Sequence, residues 1–112
     1  MSYLHKNLAE GKWHKMSLVE QLANIGSEVG RAAKWQDKDD KVFDGAVKRA
    51  LELFDLTLED TRWIGRLREI GRLKELFCDG VMGGKEYGTT LLDLEIYFLP
   101  FFNLTARKYS ML

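Results

Sequence analysis

The chain has 112 residues, 46% of them hydrophobic and 30% charged, with 17 basic and 17 acidic side chains and a formal net charge of zero. That length and balance predict one globular domain with one core. A zero total argues against a domain held to nucleic acid by overall basicity and leaves little repulsion between copies.

Cys78 is the only cysteine, which excludes an internal disulfide and fits a reducing compartment. No apolar run approaches the roughly 18 residues of a membrane span. The first 15 residues lack the apolar stretch of a secretory signal. The expectation is a cytoplasmic protein with no membrane contact, in which the sequon Asn103-Leu104-Thr105 is a chance match.

In chain order, residues 1–15 form a basic lead-in with scattered apolar residues, Tyr3, Leu4, Leu8 and Trp13, read as an N-terminal extension to a domain spanning 16–112. Ser17 and Glu20 make an S-x-x-E capping box, which starts a first helix over Ser17 to Trp35. Leu18, Leu22, Ile25, Val29 and Ala32 are its large-residue stripe. Val19, Ala23, Gly26, Gly30 and Ala33 form a second stripe of small residues, about 100° round the axis. Glycine inside a helix costs about 1 kcal/mol relative to alanine, so Gly26 and Gly30 predict the close approach of another backbone. Glu20, Asn24, Glu28 and Arg31 fill the remaining face.

The charged turn Gln36 to Lys41 leads to a second helix over Asp40 to Leu58, its first turn acidic as the helix dipole favours. Phe43, Ala46, Val47, Ala50, Leu53, Phe54 and Thr57 make its apolar face. Leu56 falls off that face and reads as a contact residue. A third helix is predicted from Thr61 to Val81, with Trp63, Leu67, Ile70, Phe77 and Val81 pointing one way, Lys74 inside the apolar arc and Leu76 outside it. A glycine-rich connection, Gly83 to Gly88, precedes a fourth helix capped by Thr89 or Thr90. Its face is Leu91, Leu94, Phe98, Phe101, Phe102 and Thr105, and Pro100 is expected to kink or interrupt it. Four helices with short connections predict an all-α, antiparallel up-down four-helix bundle.

Site chemistry is sparse. The two histidines, His5 and His14, both lie in the lead-in, and no Glu-x-x-His pair is present, so no metal or other cofactor is expected. Cys78 falls on the apolar side of the third helix and reads as a buried, inert thiol. That helix has arginines but no histidine, so it lacks the paired Arg and His of small helical ribonuclease toxins. Gly80 to Lys85 resembles a phosphate loop only faintly, without the preceding strand or the following Ser/Thr, and reads as a turn. An enzyme would need Glu20, Glu28, Asp93 and Glu95 to share a cavity. The expectation is a protein that is not an enzyme.

Charge is segregated along the chain. Residues 36–60 carry four basic and eight acidic side chains, whereas residues 61–77 carry five basic and two acidic. The basic stretch holds Arg62, Arg66, Arg68 and Arg72. It reads first as electrostatic complementarity between neighbouring helices or subunits, and second as a strip for RNA or DNA phosphates. Arg68 and Arg72 fall on one flank and Arg62 and Arg66 on the other. Trp35, Trp63 and Tyr87 lie near helix ends, where aromatics cap a core or, when exposed, mark an interface.

The segment Ala23-Asn-Ile-Gly-Ser-Glu-Val-Gly-Arg-Ala32 resembles the N-I-A-E-G-x-x-R segment of the four-helix-bundle family of 23S ribosomal-RNA intervening-sequence proteins. That family includes the accessory variability proteins of diversity-generating retroelements. Phe43 to Leu53, F-D-G-A-V-K-R-A-L-E-L, has a similar small-and-apolar pattern, and the likeness spans about Asn24 to Leu56. It implies a four-helix bundle, a ring-like homo-oligomer, and nucleic-acid or reverse-transcriptase contacts through basic surface, without catalysis. In it Arg31 matches the motif arginine, and Gly26 and Gly30 the small positions. The combined expectation is a non-catalytic bundle that associates with itself and a partner. Ala23, Gly26, Gly30 and Ala33 pack or form an interface, and Arg31, Arg62, Arg66, Arg68 and Arg72 contact a protein or nucleic acid.

Overall fold

The structure, a computed structural model, describes residues 11–110, with side chains through Phe101. Tyr3, Leu4, His5 and Leu8 of the lead-in lie outside the described residues, and the side chains of Phe102, Asn103 and Thr105 are likewise outside. Four helices follow a short 3-10 turn at Trp13–Lys15: α1 (Leu18–Trp35), α2 (Asp40–Leu58), α3 (Leu67–Val81) and α4 (Leu91–Ser110). They form an all-α bundle in which α1 packs along both α2 and α4 and α3 closes the remaining side.

The helix starts follow their local chemistry. Ser17 Oγ accepts from the Glu20 amide at 3.2 Å and donates to Glu20 Oε1 at 3.1 Å, so Ser17 caps α1 where the S-x-x-E spacing places it. Asp39 Oδ1 accepts from the amides of Lys41 and Val42, and Thr90 Oγ1 accepts from that of Asp93. Cross-helix contacts run in opposite directions along neighbouring helices. Gln21 reaches Asp60 while Glu28 reaches Arg49, and Gly80 meets Leu91 while Leu73 and Tyr97 line one cleft. The order is therefore up-down-up-down. α4 continues through Pro100 as one helix, so of the two expected outcomes, a kink or an interruption, the interruption does not occur.

The core is built from Leu22, Ile25, Val29 and Ala32 of α1, Ala46, Ala50, Leu53 and Phe54 of α2, Ile70, Leu73 and Phe77 of α3, and Leu91, Leu94 and Phe98 of α4. The Phe54 and Phe77 rings meet at 5.8 Å between centroids. Leu56, read as a contact residue off the apolar face, is buried. The end of α2 is covered by the Trp13–Lys15 turn and by residues 61–66 as well as by its helical neighbours. Trp13 itself is fully buried, so the core reaches back into the stretch read as a lead-in.

The third helix starts later than expected. Thr61–Arg66 is 3-10, with Trp63 outside helical backbone values (φ −103°, ψ 20°), and the α-helix begins at Leu67. Long-range tethers explain the difference. Trp63 Nε1 donates to Gln21 Oε1 of α1 at 2.9 Å, and Arg62 Nη2 donates to the Met16 carbonyl at 2.7 Å. These bonds hold the segment against α1 in a path that a regular helix would not follow.

The close approach predicted at Gly30 is not one of backbones. A Cβ there would meet the carboxylate end of the Glu95 side chain from α4, a flexible group able to swing away. The tight glycine is Gly80, near the end of α3. A Cβ there would lie 2.8 Å from Cδ2 of Leu91 and 3.4 Å from the Leu91 backbone nitrogen, and Leu91 is buried. Gly80→Ala is therefore expected to lower stability by about 1–3 kcal/mol through overpacking. Gly30→Ala should change it by under about 1 kcal/mol, since the lost glycine penalty offsets the displaced carboxylate. Urea unfolding of the two variants checks both, and the reverse order would contradict this packing.

Candidate association surface

The small-residue stripe of α1 lies inside the single chain. Ala23 and Gly26 are buried, Gly30 faces Glu95, and Val19 lines a cleft with Tyr97 and Phe101 of α4. Ala33 is half-buried against the core. The stripe thus seats α4 on α1.

Glu28, assigned from its phase to the solvent face, is buried instead. Its Oε2 is 3.0 Å from Arg31 Nη1 and 3.2 Å from Arg49 Nε. The pairing places it on the α1–α2 seam and holds the exposed Arg31 along its own helix. An apolar-only reading of α1 cannot find such a buried carboxylate, because its partner Arg49 is distant in sequence.

The arginines of residues 61–77 do not form one strip. Arg62 is bound to Asp60 at 2.6 Å, stacks over Trp63 at 4.5 Å and holds the Met16 carbonyl. Arg66 lies 3.8 Å from Glu69. Arg72 lies 3.9 Å from Glu75 and covers the Tyr87 ring at 4.6 Å. Arg68 is exposed. Lys74, inside the predicted apolar arc, pairs with Asp55 of α2 at 2.6 Å. The segregation of acidic and basic segments is thus spent partly between helices and partly within one turn of α3.

Asp60 is the centre of a buried polar cluster. It is 4% exposed. It accepts from Arg62, from Gln21 Nε2 at 3.1 Å and from the Arg62 amide, with His14 Nδ1 at 3.3 Å. The Arg62 guanidinium holds its carboxyl well below the usual carboxylate range, against the opposing effect of burial; Gln21 and His14 add to the lowering. Gln21, fully buried, also donates to the Trp13 carbonyl, and Trp13 Nε1 donates to Thr57 Oγ1. No described buried side-chain polar atom lacks a partner. This saturation is the mark of a structural clasp joining the N-terminal turn to α1, α2 and the 61–66 segment.

Cys78 is exposed, not buried. It lines an open cleft of about 800 Å³ with Lys74, Asp79, Met82, Lys85 and Tyr87. α3 turns its Ile70, Leu73 and Phe77 inward, and Cys78 follows Phe77 by one residue, outside that arc. The glycine-rich connection is folded back on α3 by Asp79, whose carboxylate oxygens accept from the amides of Glu86 and Tyr87 at 2.9 and 3.0 Å. Within the faint phosphate-loop pattern the amides of Met82, Gly83 and Gly84 donate to main-chain carbonyls at the end of α3, as in an ordinary helix-ending turn. Gly83, Gly84 and Gly88 take positive φ values that let the loop make this return.

Carboxylates that an enzyme would need together are engaged apart. Glu20 sits in the Ser17 cap, Glu28 between two arginines, Asp93 in the Thr90 cap, and Glu95 against Gly30. Among the described residues no group of three or more His, Cys, Asp or Glu is arranged to hold a metal ion. Nor is any helix among them long and apolar enough to cross a membrane.

Among the described residues, α4 carries a row of exposed apolar side chains. Leu91, Leu94 and Phe98 point into the core, while Leu92, Ile96 and Leu99 on the opposite face are 61%, 58% and 48% exposed. Tyr97, also exposed, stands between that row and α3, packed edge-on to Phe98. Ile64 and Met82 are exposed too, but they belong to the turns that begin and end α3. The signal for the α4 row was in the sequence. The helix is apolar on nearly all sides, a pattern that marks either full burial or a second packing partner, and the bundle occupies only one side. Comparison with protein-family models, with curated proteins and with solved structures gave no match.

Proposed function

We propose that this chain is a non-catalytic helical-bundle protein of the cytoplasm that works by associating with copies of itself and with a partner. The observation that carries the reading is the row Leu92, Ile96 and Leu99, each about half exposed or more on a helix whose other face is core. Contiguous exposed apolar surface of this kind marks an interaction site, and the zero net charge of the chain does not oppose association of copies. The ribosomal-RNA intervening-sequence resemblance supports the same class of activity, an assembly without catalysis.

The basic segment serves the partner contact as a set of paired arginines and not as a phosphate track. Arg62, Arg66 and Arg72 each have a carboxylate within 4 Å, which lowers the counterion release that drives nucleic-acid binding. Two measurements separate the readings. Self-association should persist from low to high salt, because burial of apolar surface is not screened. A labelled RNA should show no binding that falls steeply with salt. Steeply salt-dependent RNA binding, lost on replacing Arg68 and Arg72, would replace this reading with direct nucleic-acid binding.

A further inference from the structure

The seam between α3 and α4 is held at one end and open along its length. Gly80 seats Leu91 so closely that a Cβ would lie 2.8 Å from its side chain. The segment before α3 is tied instead to α1, through the Trp63–Gln21 and Arg62–Met16 bonds. Between these anchorages two clefts of about 370 and 430 Å³ open, and both are lined by Glu69 and Leu73 of α3 and by Tyr97 of α4.

The facing positions have the spacing of packed helices but not the side chains to close the gap. Glu69, Leu73 and Leu76 recur at four and three residues on α3, and Leu94, Tyr97 and Phe101 at three and four on α4. A closed seam carries apolar side chains at such positions. Here a carboxylate, Glu69, takes one of them, and Tyr97 stays 54% exposed. Leu73, Leu76 and Leu94 are left as walls of the smaller cleft.

We infer that this smaller cleft is a binding site for an uncharged, apolar small molecule of about two or three aromatic rings. The inference goes beyond the association reading and does not depend on it, since the exposed row runs along another face of α4.

Size and polarity set the class. An apolar cavity of about 150 Å³ holds one benzene ring, and ligand sites in bundles lie between helices with mostly apolar walls. The charged groups at the mouth are already engaged. Glu69 lies 3.8 Å from Arg66, Arg72 lies 3.9 Å from Glu75 and covers the Tyr87 ring, and Asp93 accepts from the Thr90 amide. A charged ligand would give up its hydration there without gaining an uncommitted counter-charge. An uncharged one has no such cost and removes Leu73, Leu76 and Leu94 from water.

The test uses the full chain and N-phenylnaphthylamine, an uncharged probe whose emission rises in apolar surroundings. The emission should saturate at one probe per chain. Anilinonaphthalene sulfonate, the same rings with one negative charge added, should bind more weakly. Leu76→Trp, which fills the cleft from α3, should abolish the saturable rise. Leu92→Arg, on the exposed row, should leave it unchanged, and both variants should keep the wild-type far-UV spectrum. Protection of an engineered thiol gives a readout that does not depend on Leu76. In a chain with Cys78→Ser, a change at an exposed site, bound probe should slow labelling of Thr89→Cys, at the rim of the cleft, and leave that of Leu92→Cys unchanged.

Absence of a saturable rise, or equal affinity for the sulfonate, would overturn the inference. A rise that survives in folded Leu76→Trp would place the probe elsewhere, on the exposed row if Leu92→Arg removes it, and would overturn the inference as well. Labelling of Thr89→Cys that bound probe does not slow would do the same.

Discussion

Trp13→Ala is expected to lower stability by about 3–5 kcal/mol, the range for deleting a fully buried aromatic. Trp13 has no exposed surface, belongs to the central apolar cluster and donates its indole N–H to Thr57 at 3.1 Å. Domains of this size have about 5–15 kcal/mol in total, so the variant should unfold at a markedly lower urea concentration. Trp13→Phe should recover part of the loss, since it restores ring volume but leaves the Thr57 hydroxyl without its donor, at about 1–3 kcal/mol. A loss below about 1 kcal/mol for Trp13→Ala would mean that the N-terminal turn is not part of the folded unit.

Asp60→Ala is expected to cost about 3 kcal/mol by leaving buried donors unpaired. Gln21 would lose one acceptor in the interior, and the partly exposed Arg62 would lose the carboxylate that fixes it within the 61–66 segment. The same site gives a pH dependence. Its folded-state value is depressed, so its contribution is fully present above the unfolded aspartate value of about 3.9 and is lost as pH falls below that, toward the folded-state value. Wild type should therefore lose stability on acidification below about pH 4 more steeply than Asp60→Asn. Parallel slopes for the two proteins in urea unfolding between neutral and acid pH would show that Asp60 is not held by Arg62.

The features legible in the sequence are those set by neighbours a turn away. α1 and α2 begin and end where their caps and periodicity place them, because Ser17 meets Glu20 and Asp39 meets Val42 through local hydrogen bonds. The misread residues depend on partners far along the chain. Glu28 is buried because Arg49 faces it, Trp63 leaves the helix because Gln21 holds its indole, and Gly80 is tight because Leu91 arrives from α4. Gly30 follows the same logic in reverse. Its helical position asked for a close backbone, and a flexible Glu95 side chain filled the space instead.

The proposed association surface lay elsewhere in the chain. Leu92, Ile96 and Leu99 were missed, because the periodic reading of α4 followed only the Leu91, Leu94 and Phe98 face, and only the bundle shows which apolar residues of α4 stay outside the core. Phe98 and Leu94 win that place through contact with α1 and α3, and the row behind them is left outside.

Light scattering on a sizing column, across a range of protein concentrations, tests the central proposal most directly. A mass of at least twice 13.0 kDa that persists at high salt is expected. A mass of 13.0 kDa at every concentration would contradict it.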